Sequence, residues 1–150
     1  MGDTYTNLIY HIIFSTKARL PLITSNLQEE LYKYIGGIIR GENGILIAIG
    51  GVPDHIHIAA KFRANISVSD MLRRIKANSS KWANERLQNE AKFQWQNGFS
   101  AFTVSESQLD GVVGYIENQQ EHHRKKTFQE EVVEFLDRQK ILYNEKYLWD

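Results

Sequence analysis

The sequence predicts an α+β fold: a ferredoxin-like (RRM-like) β-α-β-β-α-β antiparallel sheet with an additional C-terminal helix that bears a tyrosine. Two observations predict it. Short alternating apolar runs, the mark of strands, fall near residues 10, 47, 58 and 101, and helically spaced apolar residues fill the gaps after the first and the third. The resulting order of strand, helix, strand, strand, helix, strand is that of the split β-α-β sheets. This fold hosts many unrelated activities, so function has to be argued from particular side chains.

The first strand is expected over Asn7 to Ser15, where Leu8, Tyr10, Ile12 and Phe14 alternate with Ile9, His11 and Ile13, so that both faces are buried. Ser25 or Asn26 offers an N-cap for a first helix to about Arg40, with Leu27, Leu31, Ile35, Ile38 and Ile39 on one side. Gly36-Gly37 within it implies close packing, since each glycine costs about 1 kcal/mol relative to alanine. Ile45 to Ile49 reads as the second strand, and Gly50 to Asp54 as the loop of a hairpin. The third strand carries His55 and His57. Ser67 with Asp70 opens a second helix, buried through Met71, Leu72, Ile75 and Trp82. An aromatic loop at Phe93 to Gly98 leads to a fourth strand at Phe99 to Val104. Ser105 with Gln108 then forms a capping box for one continuous helix from Glu106 to about Lys125.

The 150 residues fit a single domain, 1–150, with no linker or repeat. At 42% hydrophobic and 11% aromatic the chain is globular rather than disordered. No apolar run approaches the ~20 residues of a spanning helix and the first residues hold no basic region followed by an apolar one, so a cytoplasmic protein without membrane contact is expected. Without cysteine, a metal site has to be built from His, Asp, Glu, Gln or water. Eighteen basic and eighteen acidic residues cancel, but seven basic against two acidic side chains between Lys61 and Arg86 make the middle of the chain basic.

Candidate chemistry begins at Pro53-Asp54-His55-Ile56-His57. Residues i and i+2 of a strand share a face, so the two imidazoles project together beside a turn, as half of a metal site. A His-x-His pair also arises by chance, and its meaning depends on what joins it. On the last helix, stepping ~100° per residue from Tyr115 puts Gln119 ~40° to one side and His122 ~20° to the other. A phenol, an amide and an imidazole thus share a polar face beside Leu109, Val112, Val113 and Ile116, and Gly111 on this face leaves room for another backbone.

Tyr10-His11-Ile12-Ile13-Phe14-Ser15-Thr16-Lys17, Pro53-Asp54-His55-Ile56-His57, Trp95-Gln96-Asn97-Gly98-Phe99 with Phe102-Thr103-Val104-Ser105, and Tyr115 through His123 occur in that order. In these segments the sequence resembles the single-tyrosine HUH transposases of insertion-sequence-200-like elements and their REP-associated relatives. The resemblance implies an enzyme that cuts and joins single-stranded DNA, often beside hairpins at element ends, through a 5′-phosphotyrosine. It implies Tyr115 as nucleophile and His55, His57 and Gln119 as ligands of Mg2+ or Mn2+. Asp54 and His122 are further candidates to join or support the ligands. It also implies a homodimer in which the tyrosine helix docks on its own or the partner's histidines.

Such ligation suits the chemistry, because neutral imidazoles and an amide leave a divalent ion fully positive toward a phosphate. A free tyrosine, with pKa ~10, is a poor nucleophile without that charge nearby. Lys17, Arg19, Arg73, Arg74, Lys81, Arg124 and Lys125, with Lys126, are the candidates for phosphate contacts, and Trp95 or Phe99 for base stacking. The rival reading is a non-catalytic nucleic-acid-binding module, or domesticated transposase, on the same sheet.

Overall fold

The computed structural model describes residues 2–87, 92–123 and 125–150, with the side chain at position 122 outside the description. Four strands, β1 (Ile9–Ser15), β2 (Ile45–Val52), β3 (His55–Lys61) and β4 (Ser100–Thr103), form one antiparallel sheet in the order β2-β3-β1-β4. The expected order of elements is therefore present, as is the ferredoxin-like arrangement. The hairpin is tighter than the sequence predicts. β2 runs on through Gly50 and Gly51 to Val52, which pairs with His55, leaving Pro53-Asp54 as the turn.

One face of the sheet takes Ile12 and Phe14 of β1 and Ile56, Ile58 and Ala60 of β3 into the main core. Two helices cover it, α1 (Ser25–Gly41) through Leu31, Ile35 and Ile39, and α2 (Val68–Leu87) through Met71, Leu72 and Ile75. The N-cap of α1 is Thr24, whose hydroxyl accepts from Leu27 N at 3.3 Å, rather than Ser25 or Asn26. The helix stops where Asn43 turns to φ 60° and Gly44 N donates to Ile39 O. Trp95 also lies in this core, 7% exposed, with its indole N–H donating to Ser79 at 2.9 Å. Phe99 is the more accessible of the two stacking candidates, at 37%.

The other face carries His11 and Ile13 of β1, His55, His57 and Ala59 of β3, and Phe102 of β4. Period-two alternation put the histidines there when it put Ile12, Ile56 and Ile58 in the core. The chain after β4 covers this face, and here the prediction of one continuous helix is corrected. A 3-10 turn at Glu106–Gln108 leads into α3 (Leu109–Glu117), and Asn118 (φ −104°, ψ 28°) separates it from the short α4 (Gln119–His122). Asn118 Nδ2 donates to Gly114 O, a local bond that competes with helix continuation. Ser105 makes no capping bond to the helix; its hydroxyl lies 3.2 Å from that of Ser107.

The close backbone approach occurs at Gly50 rather than Gly111. A Cβ on Gly50 would lie 2.3 Å from Ile116 O, whereas one on Gly111 would meet nothing within 4 Å. Two helices follow that the sequence reading did not assign, α5 (Phe128–Arg138) and α6 (Glu145–Leu148). Phe128, Val132 and Leu136 of α5 pack on Ile13 and Phe102. Thr127 caps α5, its hydroxyl accepting from Glu130 N. Among the described residues no helix is long and apolar enough to cross a membrane.

Candidate active site

His55 follows the Pro53-Asp54 turn directly and His57 follows it by one pleat, so both rings project into the layer between the sheet and α3 and α5. Both are fully buried. Asp54 accepts a bond from His55 Nδ1 at 2.7 Å, and His11 Nε2 lies 2.9 Å from His57 Nδ1. Each ring is thereby fixed through one nitrogen, and its Nε2 faces inward.

The inward nitrogens meet a carboxylate. Glu131, on the first turn of α5 and only 2% exposed, has Oε1 3.0 Å from His57 Nε2 and 3.5 Å from His55 Nε2. His123 Nε2 approaches the same oxygen at 3.3 Å, while His123 Nδ1 donates to Lys126 O. The other carboxylate oxygen accepts from the hydroxyl of Tyr115. The Tyr115 ring stands edge-on to His57 and Phe135, with centroids 5.7 and 5.5 Å away. Gln119, also buried, donates through Nε2 to Tyr115 O at 3.1 Å, and its Oε1 lies 3.2 Å from His123 Nε2.

Burial and charge set the protonation states. Burial pushes His57 down to about 4, against the pull of Glu131, and pushes His11 down to about 3, helped by His57. Burial also disfavours charge on His55, but the neighbouring Asp54 and Glu131 carboxylates outweigh it and raise its pKa. Burial would raise the Glu131 carboxyl, yet the closeness of His123, His55 and His57 holds it well below the usual carboxylate range. The Tyr115 phenol is raised above its ordinary value by burial and by the neighbouring Glu131 charge. In this arrangement the proton belongs to the phenol.

One ligand atom from each of His55, His57, His123 and Glu131 lies within 4.8 Å of the others. His55 Nε2 is buried and has no hydrogen-bond partner among the described residues. An unsatisfied inward lone pair within a cluster of imidazoles and a carboxylate is what a divalent cation fits.

Of the residues predicted from sequence, the fold brings Asp54, His55, His57, Tyr115 and Gln119 together. The side chain of His122, and Arg124 altogether, lie outside the described residues. Three members of the cluster were given no role by sequence reasoning: His11, His123 and Glu131. The Thr127-x-x-Glu130 cap and the Phe128, Val132, Leu136 spacing were the signals that could have found α5, and with it Glu131.

The basic candidates divide by face. Arg19 and Lys125, with Lys126, line a cleft of about 450 Å³ that reaches Asp54 and His123. Lys17 is exposed near Gln96 and Asp150. Arg73, Arg74 and Lys81 belong to α2, across the sheet from the histidines. There Arg73 pairs with Asp70 at 3.3 Å, and Arg74 with Glu42.

A protein family described as "Transposase IS200 like" matches residues 4–119. Among solved structures, a candidate transposase from Deinococcus radiodurans R1 superposes with a TM-score of 0.62 at 23% identity, over 79% of this chain and 96% of that one. A REP-associated tyrosine transposase, bound in its structure to a REP hairpin, superposes with a TM-score of 0.55 at 19% identity, over 77% of this chain and 68% of that one. At these identities the structures speak for the fold. No curated protein matches.

Proposed function

The chain belongs to the IS200-like transposase family, and from that premise we propose that it cleaves and rejoins single-stranded DNA through Tyr115. The observation that carries this reading is the convergence of the Tyr115 hydroxyl and the His55 and His57 imidazoles on one carboxylate, Glu131. A carboxylate gripped by imidazoles through one oxygen and by the phenol through the other is a small anion spanning the distance that a phosphodiester would span.

In the proposed reaction the Tyr115 oxygen bonds to phosphorus as the bond from phosphorus to the 3′ oxygen breaks. The phenol gives up its proton, the departing oxygen gains one, and the products are a 5′-phosphotyrosine and a free 3′-hydroxyl. The phosphoester is conserved, so a 3′-hydroxyl can reverse the step at another end without ATP. A divalent ion, Mg2+ or Mn2+, would be held at His55 and His57 with Gln119 beside them, and would supply Lewis acidity toward a phosphate oxygen and favour phenolate. Asp54 and His11 hold the two imidazoles in the tautomers that leave Nε2 free. Arg19 and Lys125 bind the flanking phosphates. We take the DNA to be single-stranded with hairpins at the element ends, and exchange between two ends to need two chains, each with one tyrosine.

The test incubates the protein with end-labelled single-stranded flanking DNA and Mn2+ and looks for a denaturation-resistant adduct. Tyr115→Phe is expected to form none while binding DNA within a fewfold of the parent. An adduct in that variant removes the assignment. Binding without any adduct in the parent protein favours the non-catalytic module instead.

A further inference from the structure

We propose that, in the DNA-free protein, the ion at His55 and His57 is also held by Glu131 and His123, a three-imidazole, one-carboxylate centre closed by α5. The inference rests on the reading that the histidine pair holds an ion, and adds two ligands to it. Three observations lead to it.

The first concerns tautomers. A carbonyl and a carboxylate can only accept, so His123 Nδ1 carries the hydrogen shared with Lys126 O and His55 Nδ1 the one shared with Asp54. In the neutral rings each Nε2 is then a bare lone pair, and both face the same Glu131 oxygen, at 3.3 and 3.5 Å. Lone pair against lone pair is repulsive, and a cation among them turns the repulsion into ligation.

The second is spacing. Metal–nitrogen and metal–oxygen bonds of about 2.0–2.2 Å set adjacent ligand atoms about 3.0–3.5 Å apart. The separations from Glu131 Oε1 to the nitrogens of His57, His123 and His55 are 3.0, 3.3 and 3.5 Å, and the four ligand atoms all lie within 4.8 Å of one another. The carboxylate edge thus matches ligation, while the imidazoles close in slightly around an ion.

The third is orientation. All three imidazoles are anchored at Nδ1, by Asp54, His11 and Lys126 O, and all three turn Nε2 to one point. Such anchoring of the far nitrogen is the usual support of metal-binding histidines.

Three nitrogens and one oxygen favour Mn2+ or Zn2+ over Mg2+, which prefers oxygen ligands and retains water. Glu131 gains a second role, because its other oxygen holds the Tyr115 hydroxyl beside the ion. The carboxylate thus ties the nucleophile's helix to the metal centre.

The full chain, freed of metal, is titrated with Zn2+ against a chromophoric chelator. Glu131→Gln and His123→Ala are each expected to weaken binding by about 10-fold to 100-fold or more. Pulsed EPR of bound Mn2+ is expected to count three coupled imidazoles in the parent and two in His123→Ala. His123 is on a partly exposed side chain, so this measurement reads the assignment even where Glu131→Gln fails to fold. Wild-type affinity in both variants, with two imidazoles in the parent, overturns the inference; loss of the ion in His55→Ala then leaves the histidine-pair reading standing. Wild-type affinity in His55→Ala as well takes both down.

Discussion

Burial lowers the pKa of two of the site's imidazoles while two carboxylates raise that of a third, and the contrast gives stability a maximum in pH. His57 and His11 are pushed down to about 4 and about 3, from 6.5. Below pH 6.5 the unfolded chain takes up protons at these positions that the folded chain refuses. Stability is therefore full above 6.5 on their account and lost as the pH falls toward 4. His55 is raised, so its contribution has the opposite sign: present below 6.5 and lost as the pH climbs through its folded value. The melting temperature of metal-free protein is thus expected to peak near pH 6.5. His57→Gln is expected to flatten the acid limb and His55→Gln the alkaline one. An acid limb unchanged in His57→Gln would place its proton uptake elsewhere. Of these residues the sequence singled out His55 and His57, since period two and a turn are local signals. Glu131 carried no signal of its own beyond the pattern of the helix around it, because one buried carboxylate in an acidic tail looks like its solvated neighbours.

The tyrosine reaches the histidines because α3 lies against β2 with backbone almost touching backbone. Gly50 permits this, for a Cβ there would meet Ile116 O at 2.3 Å, and Ile116 is fully buried between Ala48 and Ala59. Gly50→Ala is expected to cost about 1–3 kcal/mol, as overpacking does. It should also lower adduct yield more than the stability loss explains, because α3 shifts and carries Tyr115 with it. A variant that melts earlier yet forms adduct at the parent's rate would show that this contact serves stability alone. The sheet and its order were legible because alternation and helical spacing separate cleanly in this chain. The break at Asn118 was not, since the polar run through Gln119 and Gln120 continues the helical pattern, and the non-helical backbone of Asn118 and its side chain's bond to Gly114 O leave no mark in it. The sequence points to Gly111 where the close approach is at Gly50 for a related reason: a glycine's neighbours across space do not appear in its neighbours along the chain.

Over the molecule, the basic side chains lie on both faces of the sheet while Tyr115 and the histidine cluster lie on one. On the proposed function, a strand of DNA drawn to Arg19 and Lys125 would run past Asp54 and His123, whereas contact with Arg73 and Lys81 would require it to pass round to α2. Each phosphate contact on single strands contributes about 0.7 to the slope of log affinity against log salt. Arg19→Ala with Lys125→Ala is therefore expected to reduce that slope by about 1.4, and an unchanged slope would move the DNA path elsewhere. The same geometry bears on how two chains would cooperate. Tyr115 meets the Glu131, His57 and His11 of its own chain, and the short Val104–Gln108 connection and the Gly50 contact hold α3 there. If the docking within one chain is the reactive one, a mixture of Tyr115→Phe and His57→Ala proteins has no complete site, because each chain lacks what only it can supply. The mixture is expected to form no covalent adduct with labelled single-stranded DNA under conditions where the parent does. Adduct on the His57→Ala chain, told apart by a size tag, would mean that its tyrosine had entered the histidines of the other chain and that α3 exchanges between chains during cleavage.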